Sequence, residues 1–160
     1  MDIAVYEEYV HAYYQMVYRL AYSYTKNQMD AEDISQCVFL KLYTSGKRMG
    51  EAHVKNWLIR VTINECKMLF RSSWHSRRSA WDDSYAEIQN KNESSVILDA
   101  MMKLKRQERV CVYLYYYEGY KVSEIAALLK KKDNAIRVCL HRARKNLAEL
   151  LKEEWDDEEE

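Results

Sequence analysis

The chain has 160 residues, no net charge, 48% hydrophobic residues, no proline and only three glycines. That length allows one domain or two small ones, and the scarcity of helix breakers beside long helical patterns predicts an all-α fold. The first residues lack a basic and apolar leader, and no apolar run reaches membrane-spanning length. We therefore expect a cytoplasmic protein without direct membrane insertion.

Charge is unevenly distributed along the chain. Residues 46–80 hold eight basic and two acidic side chains, and residues 101–150 hold twelve and five. The segments 81–100 and 151–160 are acidic. Two basic blocks separated by an acidic one predict two modules that each bind a polyanion, so nucleic acid is compatible with the neutral total.

Two amphipathic helices are predicted at the start, over residues 4–25 and 30–43, with Asp30 capping the second. The inward stripe of the second helix is Ala31, Ile34, Val38 and Leu42. Its other side, which we call the outer face, consists of Glu32, Asp33, Gln36, Phe39, Leu40 and Tyr43. Large apolar groups among acids and an amide indicate either a protein-binding surface or a helix buried on both sides.

A basic loop with Lys47 and Arg48 is predicted over residues 44–53, and a third helix over 54–72. The predicted inward side of that helix, with Glu65 at its edge, holds Val54, Trp57, Leu58, Val61, Met68 and Leu69. Amides and cations alternate on another side, the ladder, made of Asn56, Arg60, Asn64, Lys67 and Arg71. With aromatic residues following, from Phe70 to Trp74, the ladder favours a grip on single-stranded nucleic acid over a merely solvated face.

Residues 79–93 are acidic and lack a helical period, which predicts a linker. One helix is expected over 94–117, ended by Gly119. Its predicted inward residues are Val96, Ile97, Met101, Leu104, Cys111 and Leu114. The chain is therefore divided into a first domain, 1–78, and a second domain, 94–152.

Residues 121–151 predict a helix-turn-helix, with Ser123 capping its first helix, Asp133 its second, and three lysines in the turn. The second helix has a buried stripe of Ile136, Leu140, Ala143, Leu147 and Leu150. Its far side, the reading face, consists of Asn134, Arg137, Val138, His141, Arg142, Arg144 and Lys145. Such donors on one helix suit the DNA major groove, the alternative being a solvated helical hairpin.

The last segment, residues 153–160, contains seven acidic residues. We expect it to be disordered, and either to compete weakly with DNA for the basic helix before it or only to keep the protein soluble.

No pattern of catalytic residues is present, so we expect a non-enzyme without cofactor, metal or small-molecule substrate. The four cysteines form no C-x-x-C pair, which argues against zinc ligation and a disulfide framework and favours reduced thiols. They are Cys37, Cys66, Cys111 and Cys139.

Three segments in this order resemble bacterial RNA polymerase sigma factors of the sigma-70 superfamily, in their extracytoplasmic-function type. They are DAEDISQCVFLKLY, VKNWLIRVTINECKMLFRS, and LYYYEGYKVSEIAALL with IRVCLHRARKNL. The resemblance implies that the outer face docks on the clamp helices of the largest polymerase subunit. It also implies that the basic loop and the ladder recognise and melt the minus-ten promoter element, and that the reading face recognises the minus-thirty-five element. The implied partners are core RNA polymerase, including its flap, promoter DNA and an anti-sigma factor.

The sequence departs from that family at several positions. Cys37 and Met68 replace residues that are commonly acidic or amide, and Lys130 and Lys131 replace the glycine and apolar residue usual in the turn. Two other functions stay open: a helix-turn-helix regulator acting without polymerase, and a sigma-like adaptor that only binds protein.

Overall fold

The computed structural model describes residues 1–46, 49–72 and 95–158. In these residues the α-helices are α1 (Ile3–Thr25), α2 (Gln28–Ser45), α3 (Glu51–Arg71), α4 (Ser95–Met102), α5 (Arg106–Val112), α6 (Val122–Leu129) and α7 (Asp133–Glu158). The helices α1–α3 form one compact unit and α4–α7 another, which confirms the all-α fold with two helical domains. The predicted linker at 79–93 lies outside the described residues, and the domain bounds stay predictions.

In the first unit, α1, α2 and α3 pack on one another around a shared apolar core. The predicted stripe of α2 is confirmed, because Ala31, Ile34, Val38 and Leu42 are all buried. The predicted cap was wrong: Asn27 precedes α2 and accepts a hydrogen bond from the Asp30 amide at 3.0 Å. Asp30 is drawn into the first turn, where its side chain is buried.

The core side of α3 is broader than its sequence pattern predicted, because α3 packs on both α1 and α2. Its buried residues are Val54, Leu58, Ile59, Thr62, Ile63 and Cys66. Met68 was wrongly placed among them, since its side chain is 58% exposed. Trp57 and Val61 are only half-buried.

In the second unit, the single helix predicted over 94–117 is wrong, because the chain breaks between α4 and α5. The break leaves the Leu104 carbonyl without a helical partner, and the buried Arg109 side chain donates to it from Nη1 at 2.8 Å. After α5 the residues Tyr113–Tyr117 form one π-helical turn, and Gly119 follows with φ 71°. Met101 and Leu104 are buried as expected, but Ile97 is 52% exposed.

The helix-turn-helix is confirmed in α6 and α7, which pack through apolar side chains. The buried ones are Ile125, Ala126, Leu128, Ile136, Leu140 and Ala143. None of the helices in the described ranges combines the length and the hydropathy needed to cross a membrane.

Candidate nucleic-acid and protein interfaces

The outer face of α2 remains largely open in the first unit. Leu40 is 62% exposed and Tyr43 is 43% exposed, and they share this side with three exposed polar residues. These are Glu32, Asp33 and Gln36. An apolar side chain so exposed among polar ones on a folded helix is typical of a protein-binding surface.

Phe39 does not belong to that surface, and its placement there was wrong. Its side chain is 4% exposed, and its ring stacks on that of Tyr14 from α1 at a centroid distance of 5.8 Å. Met29 lies on the outer face instead: it is 56% exposed and about 20° from Leu40 around α2, three turns nearer the start of the helix. It was missed because it was assigned to the turn before the helix.

A polar contact between α2 and α3 fixes the helix that carries the outer face. The Lys41 ammonium pairs with the Glu65 carboxylate, and the Cys37 thiol donates to the same carboxylate at 3.5 Å. Burial, and then the nearby Glu65 charge, raise the pKa of Cys37, so its thiol stays protonated. Cys37, at a position that is commonly acidic in the family that the sequence resembles, therefore contacts α3 through Glu65.

The ladder lies on the exposed side of α3, as the helical period predicted. Arg60, Asn64 and Arg71 are exposed, and Asn56 and Lys67 are half-buried. Trp57 and Met68 lie along one edge of this side, where the sequence pattern had assigned them to the core. Cations beside open apolar surface suit phosphates and unstacked bases together.

The loop before α3 is held by tyrosines of α1. Tyr9 donates from its hydroxyl to the Met49 carbonyl at 2.7 Å, and Tyr13 donates to the Glu51 carbonyl at 3.4 Å. Lys47 and Arg48, the basic loop residues, lie outside the described residues, as do the aromatic and basic residues after Ser72. Phe70 packs on Tyr24 at 5.6 Å and belongs to the packed side of α3.

The reading face of α7 is exposed along its whole length. All seven residues are open to solvent, and Val138, the apolar one, is 40% exposed. The predicted caps were wrong: α6 starts after Lys121, whose amide donates to the Glu124 carboxylate at 3.0 Å, and Asp133 is the first residue of α7. The boundaries move by one or two residues without turning the reading face inward.

The turn of the helix-turn-helix closes although lysines replace its usual glycine and apolar residue. Lys130 takes the left-handed conformation, with φ 57°. The Lys131 amide donates to the Ala126 carbonyl at 2.9 Å and the Lys130 amide to the Ala127 carbonyl at 3.4 Å. This is the Schellman arrangement that ends many helices, usually with glycine at the left-handed residue.

Arg144 on the reading face is held by tyrosines from the turn after α5. Its Nε donates to the Tyr116 hydroxyl at 2.6 Å, and its guanidinium lies over the Tyr115 and Tyr116 rings at 5.6 and 5.7 Å. This contact could not be predicted from the sequence, because the partners are far apart in the chain.

The four cysteines are free thiols. Cys139 is half-buried near Cys111, and a hydrogen bond from Cys111 is the main cause that lowers the pKa of Cys139 to about 7. Among the residues that the structure describes, no three or more His, Cys, Asp and Glu side chains come together to hold a metal ion.

The acidic tail was expected to be disordered, and this was wrong for most of it. The last helix, α7, continues through Glu158. A helical tail cannot fold back on the reading face of its own helix, which removes the basis for internal competition with DNA.

Comparison with known proteins places both units in one family. Residues 9–76 match the model of sigma-70 region 2, and residues 94–147 match that of sigma-70 region 4. The matches contain the helices that carry the outer face, the ladder and the reading face.

Similar proteins cover nearly all of the chain. The ECF RNA polymerase sigma factor SigE of Mycolicibacterium smegmatis is 30% identical over 156 residues, which are 91% of this chain and 61% of that protein. RNA polymerase sigma factor SigV of Bacillus subtilis is 29% identical over 147 residues, 88% of this chain and 87% of SigV. The chain thus spans less than two thirds of the first relative and most of the second.

Solved structures share the fold at low sequence identity. The sigma factor RpoE, in complex with the anti-sigma factor NepR from Bartonella quintana, has a TM-score of 0.69 and 20% identity, covering 94% of this chain and 98% of that one. CnrH, in complex with the cytosolic domain of CnrY, has a TM-score of 0.64 and 20% identity, covering 94% of this chain and 90% of that one.

Proposed function

The chain belongs to the extracytoplasmic-function sigma factors of the sigma-70 family, and we propose that it binds core RNA polymerase and directs promoter recognition and DNA melting through the three surfaces described above. Sigma factors of this kind direct promoter-specific transcription initiation. The proposed role is one of binding.

The outer face of α2 is the proposed docking surface for the clamp helices of the largest polymerase subunit. The observation that carries the proposal is the exposure of Leu40, whose side chain is 62% exposed on a helix whose opposite side is buried. A DNA-binding regulator without polymerase has no use for that surface. The docking residues are now Met29, Glu32, Asp33, Gln36, Leu40 and Tyr43, without Phe39.

The ladder of α3, with the loop before it, is the proposed minus-ten surface. Taking a base out of the stack costs a few kcal/mol, which phosphate contacts and stacking on apolar groups offset. The exposed Arg60 and Arg71 supply the first kind of contact, and Met68 and Trp57 at the edge supply surface for the second. The hydrogen bonds from Tyr9 and Tyr13 hold the adjacent backbone in place.

The reading face of α7 is the proposed minus-thirty-five surface. The helix-turn-helix packing buries the opposite side of α7 and leaves these donors exposed. The lysine turn keeps the left-handed geometry that glycine usually supplies, so the changed turn does not argue for a protein that has lost DNA binding.

An anti-sigma factor is the proposed inhibitory partner. The solved relatives RpoE and CnrH are complexes with an anti-sigma factor and with the cytosolic domain of CnrY. We propose that the protein acts in the cytoplasm, where its polymerase and DNA partners are.

Transcription with purified components tests the proposed function. The full chain is added to core RNA polymerase on a set of promoter fragments selected from genomic DNA, and run-off products are mapped. Initiation at specific sites that requires both the core enzyme and the chain supports the proposal. If the chain binds DNA but not core polymerase, it is a regulator of another kind, and if it binds neither, it is a protein-binding adaptor.

A further inference from the structure

One basic side chain of the reading face differs from the rest in being held by its own domain. The Arg144 guanidinium donates from Nε to the Tyr116 hydroxyl at 2.6 Å and lies over two tyrosine rings. Arg144 and Tyr116 are both exposed, with Tyr116 at 54%. A hydrogen bond between two solvent-exposed side chains contributes little to the stability of the fold. The well-formed contact therefore indicates a role other than stability.

The position of Arg144 on α7 indicates what it faces. It follows Arg137 by seven residues, two helical turns, and both lie at the same edge of the reading face. In a helix-turn-helix, the first residues of the second helix contact base edges, and residues further along it pass the sugar-phosphate backbone. Arg137 in the first turns is therefore placed for a base edge, and Arg144, two turns later, for a phosphate group.

The chemistry of the contact leaves the guanidinium able to bind. Its planar group carries five N–H donors in a fixed fork, more than the tyrosine contacts use. The hydrogen bond to Tyr116 and the two adjacent tyrosine rings restrict the guanidinium, while the Arg144 side chain stays exposed to solvent. A long side chain that is already ordered loses less rotamer entropy when it binds.

We propose that Tyr116 is a positioning residue that holds Arg144 ready to bind a backbone phosphate of the promoter duplex. This inference rests on the proposed function of the reading face and adds a residue outside the helix-turn-helix to it. The turn after α5, with its run of tyrosines, thereby takes part in DNA binding through Arg144.

A double-mutant cycle on the full chain, bound to core RNA polymerase, tests the inference. The variants are Tyr116→Phe, Arg144→Gln and the two combined, and the readout is affinity for a duplex promoter over a salt series. Tyr117→Phe is the matched control, because Tyr117 is 50% exposed and stacks on Tyr113 instead of contacting Arg144.

Arg144→Gln should lower the slope of log affinity against log salt by about one, the value for one lost phosphate contact. Tyr116→Phe should weaken binding by about twofold to tenfold, the cost of ordering one long side chain. In the Arg144→Gln background Tyr116→Phe should have no further effect, since its role passes through Arg144.

Three results would overturn the inference. The first is wild-type affinity in Tyr116→Phe, and the second is a loss from Tyr116→Phe that is equal in both backgrounds. The second would show a purely structural tyrosine. The third is an unchanged slope of log affinity against log salt in Arg144→Gln, because no phosphate contact would then have been lost. Failure of the wild-type chain to join the polymerase or to bind the duplex would instead refute the proposed function, and is seen before any variant is compared.

Discussion

The two units expose their cations beside different neighbours. On α3 the exposed Arg60 and Arg71 lie along a side whose edge carries Trp57 and the 58% exposed Met68. On α7 the reading face is almost wholly polar, with Val138 as its apolar member, and Arg144 is fixed over tyrosine rings. Both surfaces are basic, but one offers apolar area and the other offers ordered donors.

Under the proposed function, the difference corresponds to two states of DNA. Unstacked bases need a surface on which their faces can lie, because stacking supplies much of the affinity for single strands. An intact duplex exposes base edges and phosphates, which are read by hydrogen-bond donors at fixed places. The comparison therefore predicts that damage to the first unit affects melting at every promoter, and that damage to the second changes which promoters are chosen.

The largest effect is expected on α2. Leu40→Asp should abolish binding to core polymerase, and with it all transcription, while the melting temperature stays near that of the wild type, since Leu40 is exposed. The adjacent Phe39→Asp is the matched control and should unfold the first unit, because it places a charge in the core. Gel filtration with core enzyme and circular dichroism measure the two outcomes. If Leu40→Asp unfolds the first unit, Leu40 is a core residue and the docking assignment is wrong.

The next effect concerns the ladder. Arg60→Ala combined with Asn64→Ala should reduce the melted bubble by about tenfold or more, as expected when polar contacts to bases worth about 1–3 kcal/mol each are lost. Binding of the holoenzyme to the closed duplex should change much less. Permanganate footprinting reports the bubble, and Arg19→Ala, an exposed arginine on α1, serves as the control. Equal losses in closed-duplex binding and in bubble formation would mean that the ladder only binds phosphates. The proposed difference between the surfaces of α3 and α7 would then be wrong.

A smaller and more selective effect is expected on the reading face. Arg137→Ala should cost about 1–3 kcal/mol at one position of the minus-thirty-five element and relax the preference there. Affinities for a panel of promoters with single base changes show this directly. Lys103→Ala, an exposed lysine between α4 and α5, should leave the panel unchanged. A uniform loss for Arg137→Ala would mean that it contacts phosphate only.

The smallest effect is on stability and should be the same in both units. Lys26 after α1 and Lys130 after α6 are both left-handed, with φ 56° and 57°. Replacing either lysine by glycine should raise the free energy of unfolding, because it removes a backbone strain of about 1 kcal/mol. The gain is smaller than that strain, because glycine also gives the unfolded chain more conformational freedom.

Hydrogen exchange of α1 and α6 measures this strain separately in each unit. Lys131→Gly, at a residue without positive φ, should lower protection instead. If Lys130→Gly lowers protection while Lys26→Gly raises it, the lysine turn of the helix-turn-helix is stabilised by its side chain.

The long periodic helices could be predicted from the sequence because their signal is local. A stripe such as Ile136, Leu140 and Ala143 recurs every three or four residues, so one side of α7 had to be buried whatever it packed on. The exposed reading face and Leu40 on the outer face follow from the same period. Fold class and the approximate position of each surface therefore needed no tertiary information.

The errors occur where a distant residue decides the outcome. Phe39 has an outward position by period, yet Tyr14 of α1 covers it. The break before α5 contains neither proline nor glycine, so no local signal in the sequence predicts it. At the break, the buried Arg109 side chain donates to the Leu104 carbonyl. Asn27 and Asp30 are both good capping residues, and packing chooses between them. The contact of Arg144 with Tyr116 joins two segments that no short window of sequence contains.

The unbroken course of α7 has a consequence for how the protein meets DNA. This helix of 26 residues is about 40 Å long, with the cations of the reading face in its first half and acids in its last turns. The backbone dipole points the same way, positive at the start and negative at the end. In the field of a polyanion such a rod experiences a torque that turns its basic half toward the DNA and its acidic end away. If α7 binds DNA as proposed, this torque would disfavour encounters in the wrong orientation within about a Debye length, before any side chain has touched a base.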